Sequence, residues 1–151
     1  MEAVVSGKPN TKWMNSRGIF GFYVLIVFLL YFVLLSVPFI ASPVAWTLTH
    51  CIHSAFSYLF LHCLKGSPFQ NDGNQGKSRP LTHWEQIDDG THWTTTKKLL
   101  TIVPIALFFV ASFVTNYSPM HFLVNGPFLA LALLPKFPVF HKRRFFGINE
   151  Y

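Results

Sequence analysis

Charge is scarce in this chain, and negative charge most of all. Only 12% of its 151 residues are charged and only six are Asp or Glu. None of the six falls within an apolar run, so an embedded metal pair would lack carboxylate ligands. Cysteine is nearly absent. Cys51 and Cys63 lie in one apolar run, where twelve helical residues put about 18 Å between them, beyond disulfide reach, so both are expected as buried thiols. No Ser or Cys sits on a glycine-flanked elbow, and the stretch from Asn71 to Gly76 resembles a phosphate loop only in containing glycine. The twelve Lys and Arg give a formal charge of +6. They form no basic stripe with interleaved aromatics, which argues against nucleic acid. Targeting signals are missing too: residues 1–18 are polar, the first apolar run is too long for a cleavable signal, and neither end carries a lipidation or KDEL-type motif.

Apolar residues fill the space. They make up 51% of the chain, and the mean hydropathy is +0.37. A soluble fold of this size would have too little polar surface to cover itself, so an integral membrane protein is expected. Four spans can be read. The first, 19–37, has fifteen Leu, Ile, Phe or Val among nineteen residues, each favouring insertion by ~0.3–0.6 kcal/mol at mid-bilayer. Pro38 and Pro43 bracket a tight turn. The second, 44–64, is more polar, and Thr47, His50, Ser54 and Ser57 recur at spacings of three and four, a stripe that should face another helix. The third, 99–115, contains Pro104, tolerable where a neighbour fills the freed carbonyl. The fourth, 120–134, covers about 22 Å of a core of about 30 Å. Asn125-Gly126-Pro127 interrupts it, leaving a broken or re-entrant helix open.

Basic residues fix the orientation. Three precede the first span, five lie between the second and third, and four follow the fourth, while the other two connections have none. Under the positive-inside rule this gives two hairpins with both termini cytosolic: an N-terminal segment 1–18, a central loop 65–98 and a tail 135–151. The whole is one membrane domain, all-α. The loop opens with turn chemistry, then Thr82-His83-Trp84-Glu85 fits a capping box, predicting a short cytosolic amphipathic helix. Trp84 and Trp93 are expected to anchor it beside the headgroups. Asn116-Tyr117-Ser118 is a formal glycosylation sequon, expected to be unused because its turn is short and hugs the bilayer.

Seven histidines raise a metalloenzyme. Only His50 and His53 stand at helical spacing, and no second pair matches them; bundle-facing hydrogen bonding is the commoner role of such groups. A small lipid-modifying metalloenzyme remains one alternative and a small carrier another, since a carrier wants a broken helix near mid-membrane.

Several uncommon strings occur in one order: Pro9-Asn10-Thr11, Met14-Asn15-Ser16-Arg17-Gly18, Trp46-Thr47-Leu48-Thr49, Phe60-Leu61-His62, Lys65-Gly66-Ser67-Pro68-Phe69, Gln75-Gly76-Lys77, Leu81-Thr82-His83-Trp84-Glu85-Gln86 and Phe146-Gly147-Ile148-Asn149-Glu150-Tyr151. From about Pro9 to Tyr151 the chain resembles the Orm (ORMDL) proteins. The resemblance implies an endoplasmic-reticulum regulator, without catalysis or a cofactor of its own. Such a protein binds the large and small subunits of serine palmitoyltransferase, a pyridoxal-phosphate enzyme, and restrains it when ceramide is plentiful. It also implies that Asn10 contacts ceramide, and that Phe60 and His83 belong to the same lipid pocket. Read without the family, Asn10 is a turn residue after a proline, His83 a first-turn helix residue and Phe60 a lipid-facing side chain. Residues 1–8 depart from the family, and with only Ser6 ahead of Asn10, phosphorylation control is not carried over.

Overall fold

A computed structural model describes residues 13–66 and 79–143. Five α-helices account for most of them, with no strand among the described residues. They are α1 (Ile19–Leu35), α2 (Ser42–Tyr58), α3 (His83–Gln86), α4 (Thr95–Val114) and α5 (Pro119–Leu133). α2 continues as a π-helical turn, Leu59–Cys63, and 3₁₀ turns flank the bundle at Trp13–Asn15, Ile87–Gly90, Leu134–Lys136 and Pro138–Phe140. α4 is long and apolar enough to cross a membrane, and α1 is a shorter apolar helix.

α2 is the central helix, packing against α1, α4 and α5. The reason lies in its composition. Ala45, Thr49, His50 and Ser54 are fully buried, with Thr47, His53 and Ser57 nearly so, so the polar stripe does face inward. Thr49 Oγ1 donates back to the Ala45 carbonyl at 2.8 Å, and Thr47 and His50 of the stripe meet α5. There Asn125 is fully buried, its Oδ1 accepting from His50 Nδ1 at 3.0 Å and its Nδ2 donating to Thr47 Oγ1 at 3.5 Å. The question left open at Asn125-Gly126-Pro127 is answered: α5 runs through these residues as one helix. The carboxamide that would have unsettled an isolated helix is the group that docks this one.

The Pro104 carbonyl partner is also in place. Pro104 has no N–H for the carbonyl of Leu100, and Lys136 Nζ donates to that oxygen at 2.8 Å.

At one end of the bundle the residues flanking the helices form a cap layer. Its core is Met14, Leu61, Trp84 and Ile87, with Phe60 and Leu100 packed against them. All described Lys and Arg lie at this end, and the opposite connections, 36–41 and 115–118, have no charged residue. The capping box is present, with Glu85 Oε2 accepting from the Thr82 N–H at 2.9 Å. Two expectations fail here. The helix it opens is a single turn whose four residues are all buried, so it is not an amphipathic helix lying on a surface. Trp84 is 6% exposed at the centre of the cap, and of the two expected anchors Trp93, 62% exposed, is the one at the surface. The indole packs with Met14, Leu61 and Ile87 in the apolar core of the cap, and Lys97 and Lys136 stand over its ring at 5.4 and 5.7 Å, adding a cation–π attraction.

Candidate functional site

Phe60 and His83 come together in the cap although 23 residues separate them. Phe60 falls in the π-helical turn that ends α2, a distortion frequent at functional sites. Its ring is half-buried and lies 4.9 Å, centroid to centroid, from the imidazole of His83. The backbone of Phe60 contributes as well, since its carbonyl oxygen is 3.1 Å from His83 Nδ1. That contact requires Nδ1 to carry the proton, leaving Nε2 as an acceptor. Burial pushes the His83 pKa below the ordinary histidine range, only partly opposed by the hydrogen bond to Phe60. The pair therefore offers a neutral imidazole edge beside an aromatic face, suited to a hydroxyl or amide on an apolar stem.

The one-turn α3 is fixed to α2 through backbone. Lys65 and Thr82 form an antiparallel bridge, Gly66 N–H donates to Leu81 at 3.0 Å, and His83 N–H donates to Leu64 at 3.3 Å. Gln86, fully buried, closes the stem by donating to the carbonyls of Gly66 and Leu81 at 2.9 and 3.0 Å. Sequence reasoning had no signal for this clamp.

Asn10 lies outside the described residues, but the chain it belongs to enters the cap four residues later. Met14 is buried against Leu61, Trp84 and Ile87, in the cluster on which Phe60 packs. Four extended residues span at most about 14 Å, so chain connectivity keeps Asn10 within that distance of Met14. Met14 and Asn15 were recognised only as part of a family string; their contacts give them a structural reason.

The tail closes the cap. Glu85 Oε1 accepts from the Lys142 N–H at 3.1 Å, so one carboxylate serves both the helix start and the tail. A small cleft of about 50 Å³ lies between them, lined in part by Tyr58, His62, Cys63, Glu85, His141 and Arg143. It has room for water but not for a lipid, and neither Phe60 nor His83 lines it.

The histidines disperse. His50 faces Asn125, His53 contacts the Tyr23 hydroxyl, His121 faces Thr47, His62 packs near Trp84, His83 packs on Phe60, and His92 lies edge-on to His141. Among the described residues no three His, Cys, Asp or Glu converge where a metal ion could be held. Cys51 and Cys63 are both free thiols.

The order of motifs built into this cap is matched in known proteins. The model of the ORMDL family matches residues 8–144. ORM1-like protein 2 of Homo sapiens is 54% identical over 143 residues, covering 95% of this chain and 93% of its own. ORM1-like protein 3 of Mus musculus, 53% identical, and ORM1-like protein 1 of Pongo abelii, 54% identical, match over the same length and shares. Since the match takes in the N-terminal string, the α2–α3 clamp and the described tail together, the chain belongs to the ORMDL family.

Proposed function

We propose that this chain is a four-span, non-catalytic regulatory subunit of serine palmitoyltransferase in the endoplasmic-reticulum membrane, restraining the enzyme when ceramide accumulates. Family membership supports the class of function. The observation that carries the ligand site is the Phe60–His83 pair, held next to the socket that receives the N-terminal segment. Ceramide offers an amide and hydroxyls on an apolar stem. In this reading Asn10 supplies a carboxamide donor and acceptor from one side, and His83 and Phe60 supply an acceptor and an apolar wall from the other. Ceramide can strengthen inhibition only by binding the inhibited arrangement better than the free one; a site divided between the residues around Asn10 and the Phe60–His83 pair of the cap is suited to that.

Topology supports the same reading. α2 with its π-helical extension spans about 33 Å and α4 about 30 Å, close to a hydrocarbon core, while α1 at about 26 Å and α5 at about 22 Å are shorter and need modest bilayer adjustment. The cap with its basic residues faces the cytosol, where it can meet the enzyme's soluble part.

The test is enzyme activity in membranes with and without this protein, titrated with a short-chain ceramide. Ceramide inhibition that appears only when the protein is present supports the reading. Identical activity at every ceramide level, despite verified expression, overturns it.

A further inference from the structure

The cleft between the end of α2 and the tail is lined by chemistry that the ceramide reading does not use. Tyr58, His62 and Cys63 form one wall, His141 and Arg143 another, and Glu85 of α3 stands between them. Its volume of about 50 Å³ exceeds the ~10–15 Å³ that a single water needs, which suits one tetrahedral oxyanion.

Cations gather about this cleft. Lys97 and Lys136 stand over the ring of Trp84, which forms part of the lining, and Arg143 is its one exposed residue among those described. The carboxylate in the lining is Glu85, and each of its oxygens already accepts a backbone N–H, from Thr82 at 2.9 Å and from Lys142 at 3.1 Å. Its charge is therefore met from within the protein, and the guanidinium of Arg143 is the charge offered to a ligand. Neutral donors accompany it. Tyr58 and Thr82 bring hydroxyls, and burial holds the His141 pKa below the ordinary histidine range, so its imidazole is uncharged at pH 7. His62 also lines the cleft, and its Nε2 is buried with no hydrogen-bond partner. A forked guanidinium beside neutral donors is recognition chemistry for a phosphate.

The surroundings point to the source of that phosphate. The elements that form the two walls also present exposed apolar side chains: Leu59 and Leu64 at the end of α2, Phe137 and Val139 in the turns after α5. All stand at the end of the bundle that carries the basic residues. At a membrane surface such side chains meet the acyl region, while a basic cleft beside them meets the headgroup layer.

We propose that the cleft binds the phosphate of a phospholipid in the cytosolic leaflet, with Arg143 as its charged partner and the acyl chains outside, against the exposed apolar side chains. This rests on the cytosolic placement of the cap proposed above, and it is independent of the ceramide reading, since neither Phe60 nor His83 lines the cleft.

The full chain is tested in maltoside micelles, which contain no phosphate, as the Cys51→Ala variant so that Cys63 is its sole thiol. Binding of dioctanoyl phosphatidic acid, inorganic phosphate or dioctanoylglycerol is followed by native mass spectrometry, and the place of binding by protection of Cys63 from a small maleimide. Phosphatidic acid should bind and slow the alkylation several-fold, whereas dioctanoylglycerol should do neither. Arg143→Gln should raise the half-protecting concentration by about tenfold, the factor carried by one lost charge-assisted hydrogen bond, and Arg143→Lys by less. An unchanged unfolding midpoint reports that each variant has folded. Equal protection by inorganic phosphate keeps the phosphate site and overturns the lipid as its source. Absence of binding, binding without protection of Cys63, equal binding of dioctanoylglycerol, or an unchanged response in Arg143→Gln overturns the site. Separately, trypsin should remove a C-terminal epitope from the protein in sealed microsomes. A protected epitope overturns the cytosolic placement, while the micelle experiment still decides the cleft.

Discussion

The ammonium of Lys136 occupies the hydrogen-bonding position that Pro104 leaves empty, donating to the carbonyl of Leu100 at 2.8 Å. A buried helix that loses an internal bond must find a donor elsewhere, and here the donor comes from the turn after α5. Lys136 is 8% exposed, and burial pushes its pKa down to about 7. The carbonyl and the Trp84 face are what favour the charged form there.

Replacing Lys136 by Met should therefore cost about 1–3 kcal/mol through the unpaired carbonyl. In a Pro104→Ala background, where the helix can supply its own N–H, the same replacement should cost less than half as much. Thermal unfolding of the four proteins in detergent gives the coupling; equal costs in both backgrounds would show that the carbonyl is not what Lys136 serves.

His83 should make the cap sensitive to acid. Its folded pKa is lowered by burial, so above about pH 6.5 the imidazole is neutral in both folded and unfolded chains. Below that value the unfolded chain takes up a proton that the folded one resists, and stability falls with pH. Amide exchange over residues 82–90 should speed up on going from pH 7 to pH 5.5, after correction for intrinsic rates. His83→Gln should flatten that dependence.

The buried Asn125 should matter modestly. Interhelical hydrogen bonds of this kind average about 0.6 kcal/mol and reach about 1.7, so Asn125→Leu should lower the unfolding midpoint in detergent by a few degrees while leaving the helix content by circular dichroism unchanged. A loss of helix would mean that the carboxamide supports α5 itself.

The sequon should be unmodified. Asn116 and Tyr117 are left-handed, at φ 49 and 54, and the Tyr117 N–H is tied to the Ser112 carbonyl at 2.8 Å, with α5 starting at Pro119. Glycosidase treatment of the protein from cells should leave its gel mobility unchanged. Extending this turn with a flexible segment carrying a second sequon should produce a shift, and its absence would count against a lumenal location.

Asn10→Ala and Phe60→Ala should each weaken the ceramide response of the enzyme while co-purification with it persists. Loss of binding in either variant would point to a role in assembly instead.

Much of the bundle was legible because its signals are local. The stripe Thr47, His50, Ser54 and Ser57 has helical spacing, and it is buried as that spacing requires. The capping box is a four-residue pattern, and it forms. Trp84 misled because its environment is assembled from Lys97 and Lys136, residues whose approach no local pattern announces. For the same reason Asn125 read as a weak point, although its partners His50 and Thr47 lie more than seventy residues away. Of the candidate site, the family resemblance supplied Phe60 and His83 as names; their contact depends on the pairing of residues 64–66 with 81–83, which is tertiary.

That pairing also has a bearing on engineering. The backbone bonds between 64–66 and 81–83, with Gln86 across them, form a closed stem. Whatever chain runs from 67 to 78 begins and ends at points already fixed, and lengthening a closed loop adds cost only logarithmically. Those twelve positions are thus the place to thread in an epitope tag or fluorescent label, reporting on the protein in membranes while leaving both hairpins and the cap as they are.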